Sequence, residues 1–459
     1  MRWVILVPVL ACGATLAGQT GGAAKRASQP SYFRDIRPIL QRQCQGCHQP
    51  AAKQGTLDLT SYEGFRAGGS KGAAFQAGSP EKSLVLAMIT GQRELRMPFG
   101  LPPLASDQIE LFRRWIAGGA RDDTPAEARE TVATDKPPVY RLPPVITALA
   151  FSPDGATLAV SGYREVLLHK ADGSGLAGRL LGVSDRIQSL VFSPDGKTLV
   201  AAGGTPARFG EVQFWEAPSG KLKRSVTFTN DTLFGASLAP DGSRVAAGAS
   251  DNTVRVIEAE SGKELLKIAH HENWVLGTVF GVDGKRLVSV GRDRAAKLTD
   301  AGTGAFIENI NLLREPLTAI ARHPRRDWVL IGGEERVPYL YAMDRPRAMK
   351  IADDTTLIRK FEAQAGPIFA LAFNFDGSRI AVAGAGAEVP VYNSATGERV
   401  STCKGHQAGI YTLAFRPDGA QLATAGFDGR VRICEVASGR LAAEFVPVPL
   451  DPVLATAGK

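Results

Sequence analysis

Two patterns of apolar and polar positions divide the chain. Towards the N-terminal end, Phe33, Ile36, Ile39 and Leu40 recur at helical spacing, and so do Ile109, Leu111, Phe112, Trp115 and Ile116. Apolar residues three and four apart share one helix face, so each run predicts an amphipathic helix with a single buried stripe. Pro38 falls in the first turns of the earlier helix, where a missing N–H is tolerated. Ser106, with Asp107 after it, is the expected N-cap of the later helix, and Gly118-Gly119 ends it. From Val145 onward the period changes. Short β-branched runs alternate with Gly-, Asp- and Pro-containing turns, the pattern of strands. Between these regions, 121–144 is charged and then Pro-rich without an apolar period, and reads as a linker.

The second region repeats. LAFSPDG, LVFSPDG, ASLAPDG, TVFGVDG, LAFNFDG and LAFRPDG end at Gly155, Gly196, Gly242, Gly284, Gly377 and Gly419. The spacing is 41 to 46 residues except for one gap of 93, where a degenerate copy is expected at 320–330 with His323-Pro324 in its turn. That makes seven copies. In the first, strands are expected at 146–151, 157–161 and 165–169, and a Gly-containing turn leads to a fourth. Four short strands per copy is the spacing of a propeller blade. Residues 145–450 therefore resemble the WD-repeat β-propellers, which implies an all-β ring of seven blades. In the last copy Gly405-His406, Thr424 and Asp428 stand where that family has a structural hydrogen-bond network. Trp215 stands near the family's Trp-Asp position, which most copies here lack. The resemblance also implies a rigid docking face for a protein partner.

The candidate chemistry lies in the first region. Cys44-Gln45-Gly46-Cys47-His48 is a C-x-x-C-H motif, the pattern of c-type haem attachment. Two thiols at this spacing add to the two haem vinyl groups as thioethers, and the adjacent imidazole then lies under the iron. A zinc knuckle would want a second Cys/His pair, and outside the motif no Cys or His occurs between Cys12 and His169. A redox C-x-x-C would need a strand–helix context that is missing. The expected cofactor is one covalently attached haem c, its iron held by His48. Met88 and Met97 are candidates for the other axial position. Met88 lies in an apolar helical run, where methionine usually fills a core. Met97 lies in Leu95-Arg96-Met97-Pro98-Phe99, a loop stiffened by proline, and is the favoured ligand.

F-R-D-I-R-P-I-L before Cys44, then G-T-L-D-L-T-S, A-G-G-S-K-G, A-G-S-P-E-K-S-L, R-M-P and R-W-I-A-G-G-A, resemble the planctomycete-type cytochrome c domain across 31–120. The resemblance implies a small all-α haem domain of the class I cytochrome c kind, whose first and last helices pack together. It also implies His48 and Met97 as axial ligands. Phe99 stands where many members have proline. Trp115 is expected in the core at the helix contact.

The remaining features set compartment and partners. Arg2, the apolar run 3–11 and the small residues after it read as a signal peptide over 1–24. Val9-Leu10-Ala11-Cys12 resembles a lipoprotein cleavage box, so Cys12 is a candidate lipid anchor and the one route to a membrane. The expected location is exported, periplasmic or at the cell envelope. The 459 residues are 44% hydrophobic and 22% charged, ordinary for globular chains. Five cysteines are too few for a disulfide scaffold. The net charge of +8 is spread without a Lys/Arg block, so no nucleic-acid partner is expected. Residues 34–122 carry a basic excess of four charges, suited to steering an acidic redox partner.

His169, His270, His271 and His323 are expected at surfaces or turns, with His270-His271 the one pair that invites ligation. Cys403 and Cys434 are expected on adjacent blades, as a disulfide or as free thiols. A His/Met iron is coordinatively full, so the expected function is one-electron transfer with no catalytic residues, docked through the propeller to a partner. Two alternatives stand beside it: a propeller-housed oxidoreductase relayed by the cytochrome, and a haem-based redox or gas sensor.

Overall fold

The computed structural model describes residues 29–451 apart from 46, 49–53, 100–102, 126–135 and 344–354. The expected signal peptide and Cys12 lie outside the described residues, as does the middle of the expected linker.

The N-terminal region is a small helical unit with helices α1 (Arg37–Gln43), α2 (Tyr62–Ala67), α3 (Leu84–Ile89) and α4 (Ser106–Ala117). Ile36, Ile39 and Leu40 are buried as the stripe predicts, but Phe33 is only half-buried and Tyr32 takes the core position. The reason lies in the turn before α1. Pro38 offers no N–H to the Arg34 carbonyl and its ring crowds that carbonyl. The chain widens over Tyr32–Ile36, with the Ile36 N–H reaching back to the Ser31 carbonyl at 3.2 Å. The wider turn rotates Tyr32 inward, where its ring lies 5.6 Å from that of Trp115 on α4. The first and last helical segments thus meet. Trp115 is 2% exposed, and its ring stacks on Phe65 at 5.9 Å.

The expected cap of α4 shifts by one residue. Ala105 is the cap and Ser106 the first helical residue. The Gln108 side chain accepts the Ala105 N–H at 3.2 Å, the half of a capping box that comes from inside the helix.

Seven four-stranded antiparallel sheets follow, each in sequential strand order. Their innermost strands are Leu149–Phe151, Arg186–Phe192, Leu233–Leu238, Val275–Phe280, Leu317–Arg322, Ile368–Phe373 and Ile410–Phe415, opening blades 1 to 7. The degenerate copy is blade 5, with strands Leu317–Arg322 and Trp328–Gly333 around its turn. Each Asp-Gly turn works the same way. In blade 1 the Gly155 N–H reaches the Ser152 carbonyl at 2.8 Å, and the Asp154 carboxylate accepts the Ala156 N–H at 3.0 Å. Gly155 sits at φ +69°, the left-handed region that disfavours a side chain.

Because every blade owns its four strands, the ring closes without exchanging a strand. Ile146, Leu149, Leu158 and Val160 of blade 1 share one apolar cluster with Ala423, Val431 and Ile433 of blade 7. The Ile146 N–H donates to the Gly426 carbonyl at 3.0 Å. Tyr140, within the stretch read as linker, is 6% exposed and forms a parallel bridge to Leu450. Its hydroxyl donates to Glu165 at 2.7 Å, and Arg179 neutralises that carboxylate at 2.6 Å. No helix of the described residues is long and apolar enough to cross a membrane.

Candidate functional site

Helix α1 delivers the C-x-x-C-H motif. Cys44 caps its end, with the Cys44 N–H on the Leu40 carbonyl at 2.9 Å. The chain then coils on: the Cys47 and His48 N–H groups both reach the Cys44 carbonyl at 3.2 Å. One turn therefore holds both sulfurs and the imidazole. Cys44 packs against the apolar core while Cys47 is exposed, so the motif lies where the core meets the surface. Burial pushes the Cys44 thiol up to about 12, with the Cys47 sulfur adding to the shift. The thiol is therefore protonated at neutral pH.

His48 is half-buried, and its Nδ1 lies 2.9 Å from the Gln54 carbonyl oxygen. A carbonyl only accepts, so Nδ1 carries the proton and Nε2 keeps its lone pair. A hydrogen bond of this kind fixes an imidazole in tautomer and orientation and leaves Nε2 free to bind a metal. Burial also holds the imidazole below its ordinary pKa, partly offset by that carbonyl, so it is neutral at pH 7. The His48 carbonyl in turn accepts the Leu59 N–H at 2.8 Å.

Gln45 was not singled out by sequence. It is 6% exposed, and its Nε2 donates to the Leu59 carbonyl at 2.7 Å. The variable position of the motif thus pins the C-x-x-C-H turn to the segment leading into α2. A polar residue inside an attachment motif carries no local signal of such a partner, since Leu59 is fixed by the fold.

The two methionines take different places. Met97 packs against the same apolar core as Cys44. Its N–H donates to the Met88 carbonyl at 3.0 Å, so Met88 holds the Met97 loop through backbone. The loop leaves α3 at Gly91, whose φ is +76° and against which the Arg96 side chain packs. Leu95 and Phe99, on either side of Met97, are strongly exposed.

The donor set fits haem c: two thiols in one turn, a neutral imidazole with Nε2 available, and a thioether against the same core as the nearer thiol.

In the propeller the histidines are structural. His406 Nε2 lies 2.9 Å from Thr424 Oγ1 and Nδ1 lies 3.2 Å from Asp428, as the repeat grammar implies. Arg432 adds a bond to Asp428 at 2.6 Å. The same device occurs in blade 4, where His271 bonds Ser289 at 2.7 Å and Asp293 at 2.9 Å. His271 is therefore a buried network residue and not a ligand facing the channel, while His270 bonds the Gly304 carbonyl at 2.9 Å. His169 is buried on the third strand of blade 1, against the expectation of a surface or turn, while His323 is buried in the turn of blade 5, the position expected for it. His323 packs between Trp328 and Phe373 and covers the Gly377 turn of the next blade, which leaves no room there for a Cβ. Among the described residues no three His, Cys, Asp or Glu side chains group as a metal site.

The blades surround a central cavity of about 830 Å³. Inner-strand residues of six blades line it, among them Gln188, Phe234, Leu276, Thr318, Phe369 and Tyr411. Exposed Tyr163 and Phe427 also border it. Phe234 stacks on Trp274 at 5.8 Å, and Arg292 covers that indole at 4.7 Å.

Comparison with known families gives two matches. The family model Planctomycete cytochrome C matches residues 44–98. The WD domain, G-beta repeat, matches 220–258 and 397–435. Each WD match runs from the outer strand of one blade through the third strand of the next, and the second ends in the blade with the complete His406 network. No curated protein matches the chain significantly. The chain thus joins a segment similar to the planctomycete cytochrome c family to a seven-bladed β-propeller carrying WD repeats.

Proposed function

We propose that the helical unit is a class I cytochrome c-like domain carrying one haem c, and that the protein is an exported one-electron carrier docked through its propeller. The observation that carries this reading is the motif turn, with Nδ1 of His48 tied to the Gln54 carbonyl. Cys44 and Cys47 would hold the haem as thioethers, and His48 and Met97 would hold its iron through a nitrogen and a sulfur. Bound haem supplies a reversible one-electron change at iron, and a methionine ligand raises its potential relative to bis-histidine ligation.

The chain's own residues prepare that site. Gln54 fixes the imidazole proton on Nδ1. Gln45 fixes the turn against Leu59. Leu57, Val85 and Met97 pack around the core beside Cys44 and keep water from it. With both His48 and Met97 holding the iron, the bound group would favour outer-sphere transfer over oxygen or peroxide chemistry. The propeller contributes a rigid ring with aromatic side chains at its channel, suited to a protein partner. Export is supported by the N-terminal pattern and by the compartment in which haem is normally attached to such motifs.

Visible spectra of protein matured with haem c attachment machinery test the reading. The weak far-red band of methionine-ligated ferric haem is expected in the wild type and in Met88→Ala, and lost in Met97→Ala. A high-spin haem, or carbon monoxide binding to the reduced wild type, overturns it.

A further inference from the structure

Two cysteines have no part in the haem site. Cys403 ends the outer strand of blade 6, and Cys434 lies in the third strand of blade 7. Both are buried, 1% and 0% exposed, in one apolar cluster with Val389, Ile410 and Leu413. The two blades are in close register at this seam. Ser401 Oγ donates to the Val436 carbonyl at 2.6 Å. The Thr402 carbonyl lies 2.4 Å from where a Cβ on Gly439 would stand. Cys403 and Cys434 thus lie in the same buried cluster, on facing strands of this seam, each within two residues of the Ser401–Val436 hydrogen bond.

We propose that Cys403 and Cys434 form a disulfide that locks blade 6 to blade 7. Both cysteines are buried in one cluster at a seam whose strands are already held by the Ser401–Val436 hydrogen bond, which places the two side chains on the same side of the join. The location also has a mechanical meaning. Blade 7 is last in the ring, and the ring has no exchanged strand to hold it. Its contact with blade 1 rests on packing, a few hydrogen bonds and the Tyr140–Leu450 bridge. A covalent tie on its other side restricts opening of the ring at its closing blade. The proposal rests on the exported location for its oxidant, a disulfide-bearing folding catalyst. One Cys thiolate attacks the catalyst's disulfide and forms a mixed disulfide. The second Cys displaces it, giving the Cys403–Cys434 bond and a catalyst dithiol. Two electrons and two protons pass to the catalyst.

The test uses the full haem-bearing chain, refolded in a mixture of oxidised and reduced glutathione, then denatured with an alkylating agent present. Peptide mapping before and after reduction is expected to show the peptides containing residues 403 and 434 linked, and released by reduction. Reduction is expected to lower the propeller midpoint by about 5 °C in the wild type and to leave Cys403→Ser and Cys434→Ser unchanged. Should either serine variant misfold, the wild-type peptide map decides alone. Alkylation of both cysteines without prior reduction overturns the proposal. Linked peptides after refolding but free thiols in protein taken from cells support the pair and count against export. The haem spectrum of the same sample reports the electron-transfer reading separately.

Discussion

The helical unit and the propeller handle buried polarity in opposite ways. Among the described residues of the helical unit, Ser31, Gln45 and Ser83 are the buried polar side chains, and each serves a nearby backbone group. The rest is one apolar core around Trp115. The propeller instead buries whole networks: His406–Thr424–Asp428–Arg432, His271–Ser289–Asp293, and Glu211 with Ser184, Gln213 and Ser225. A unit of this small size buries a limited share of its surface and has little stability to spare. Covalent haem would supply part of its core. The propeller closes its apolar core between neighbouring blades, so it can carry buried networks that fix strand register.

That contrast predicts separate responses. The largest is expected from removing both attachment cysteines. Cys44→Ala with Cys47→Ala should abolish covalent haem on a denaturing gel. Calorimetry should show the helical transition lowered by more than ~10 °C, with the propeller transition in place. A propeller that melts together with the helical unit would erase the comparison.

Breaking a propeller network is the reverse experiment. His406→Ala leaves Asp428 and Arg432 short of a buried partner and should cost about 2–4 kcal/mol in denaturant unfolding, with the haem spectrum unchanged. His271→Ala should act likewise, and the two losses should add because they lie in different blades.

Gln45→Ala sharpens the comparison from the helical side. It strands the Leu59 carbonyl and should cost about 1–2 kcal/mol in the helical unit alone.

The smallest effect concerns Glu211. Burial raises its carboxyl above the usual glutamate value, against the opposing pull of hydrogen bonds from Ser184, Ser225 and Gln213. The native state therefore keeps a proton that the unfolded chain has released. Its contribution to stability is full below the ordinary glutamate pKa and declines as pH rises through the raised native value. Glu211→Gln should remove that slope, so variant and wild type should agree at acid pH and diverge in the variant's favour towards neutral pH. Parallel melting curves across this window would show that the carboxyl is not held protonated.

Much of the molecule is legible locally. The C-x-x-C-H motif, the Met97 loop, the seven copies and the His406 network each follow from side chains a few residues apart, or from a turn whose Asp and Gly meet a fixed backbone need. The stripe on α4 is likewise visible in five apolar positions. Local pattern reached less far where a distant group decides. Phe33 yields its core place to Tyr32 because Pro38 widens the turn and Trp115 waits on α4. His271 matches the repeat network only once Ser289 and Asp293 are folded against it.

What the sequence determined by itself is the C-x-x-C-H spacing of Cys44, Cys47 and His48 and the repeat that makes the blades, because motif spacing and turn residues act over a few bonds. Tertiary structure alone decided that Gln45 holds Leu59, that Tyr140 meets Leu450 to close the ring, and that Cys403 and Cys434 share one buried cluster. Those partners are brought together by packing of separate elements, and packing of that range leaves no mark in the order of neighbouring residues.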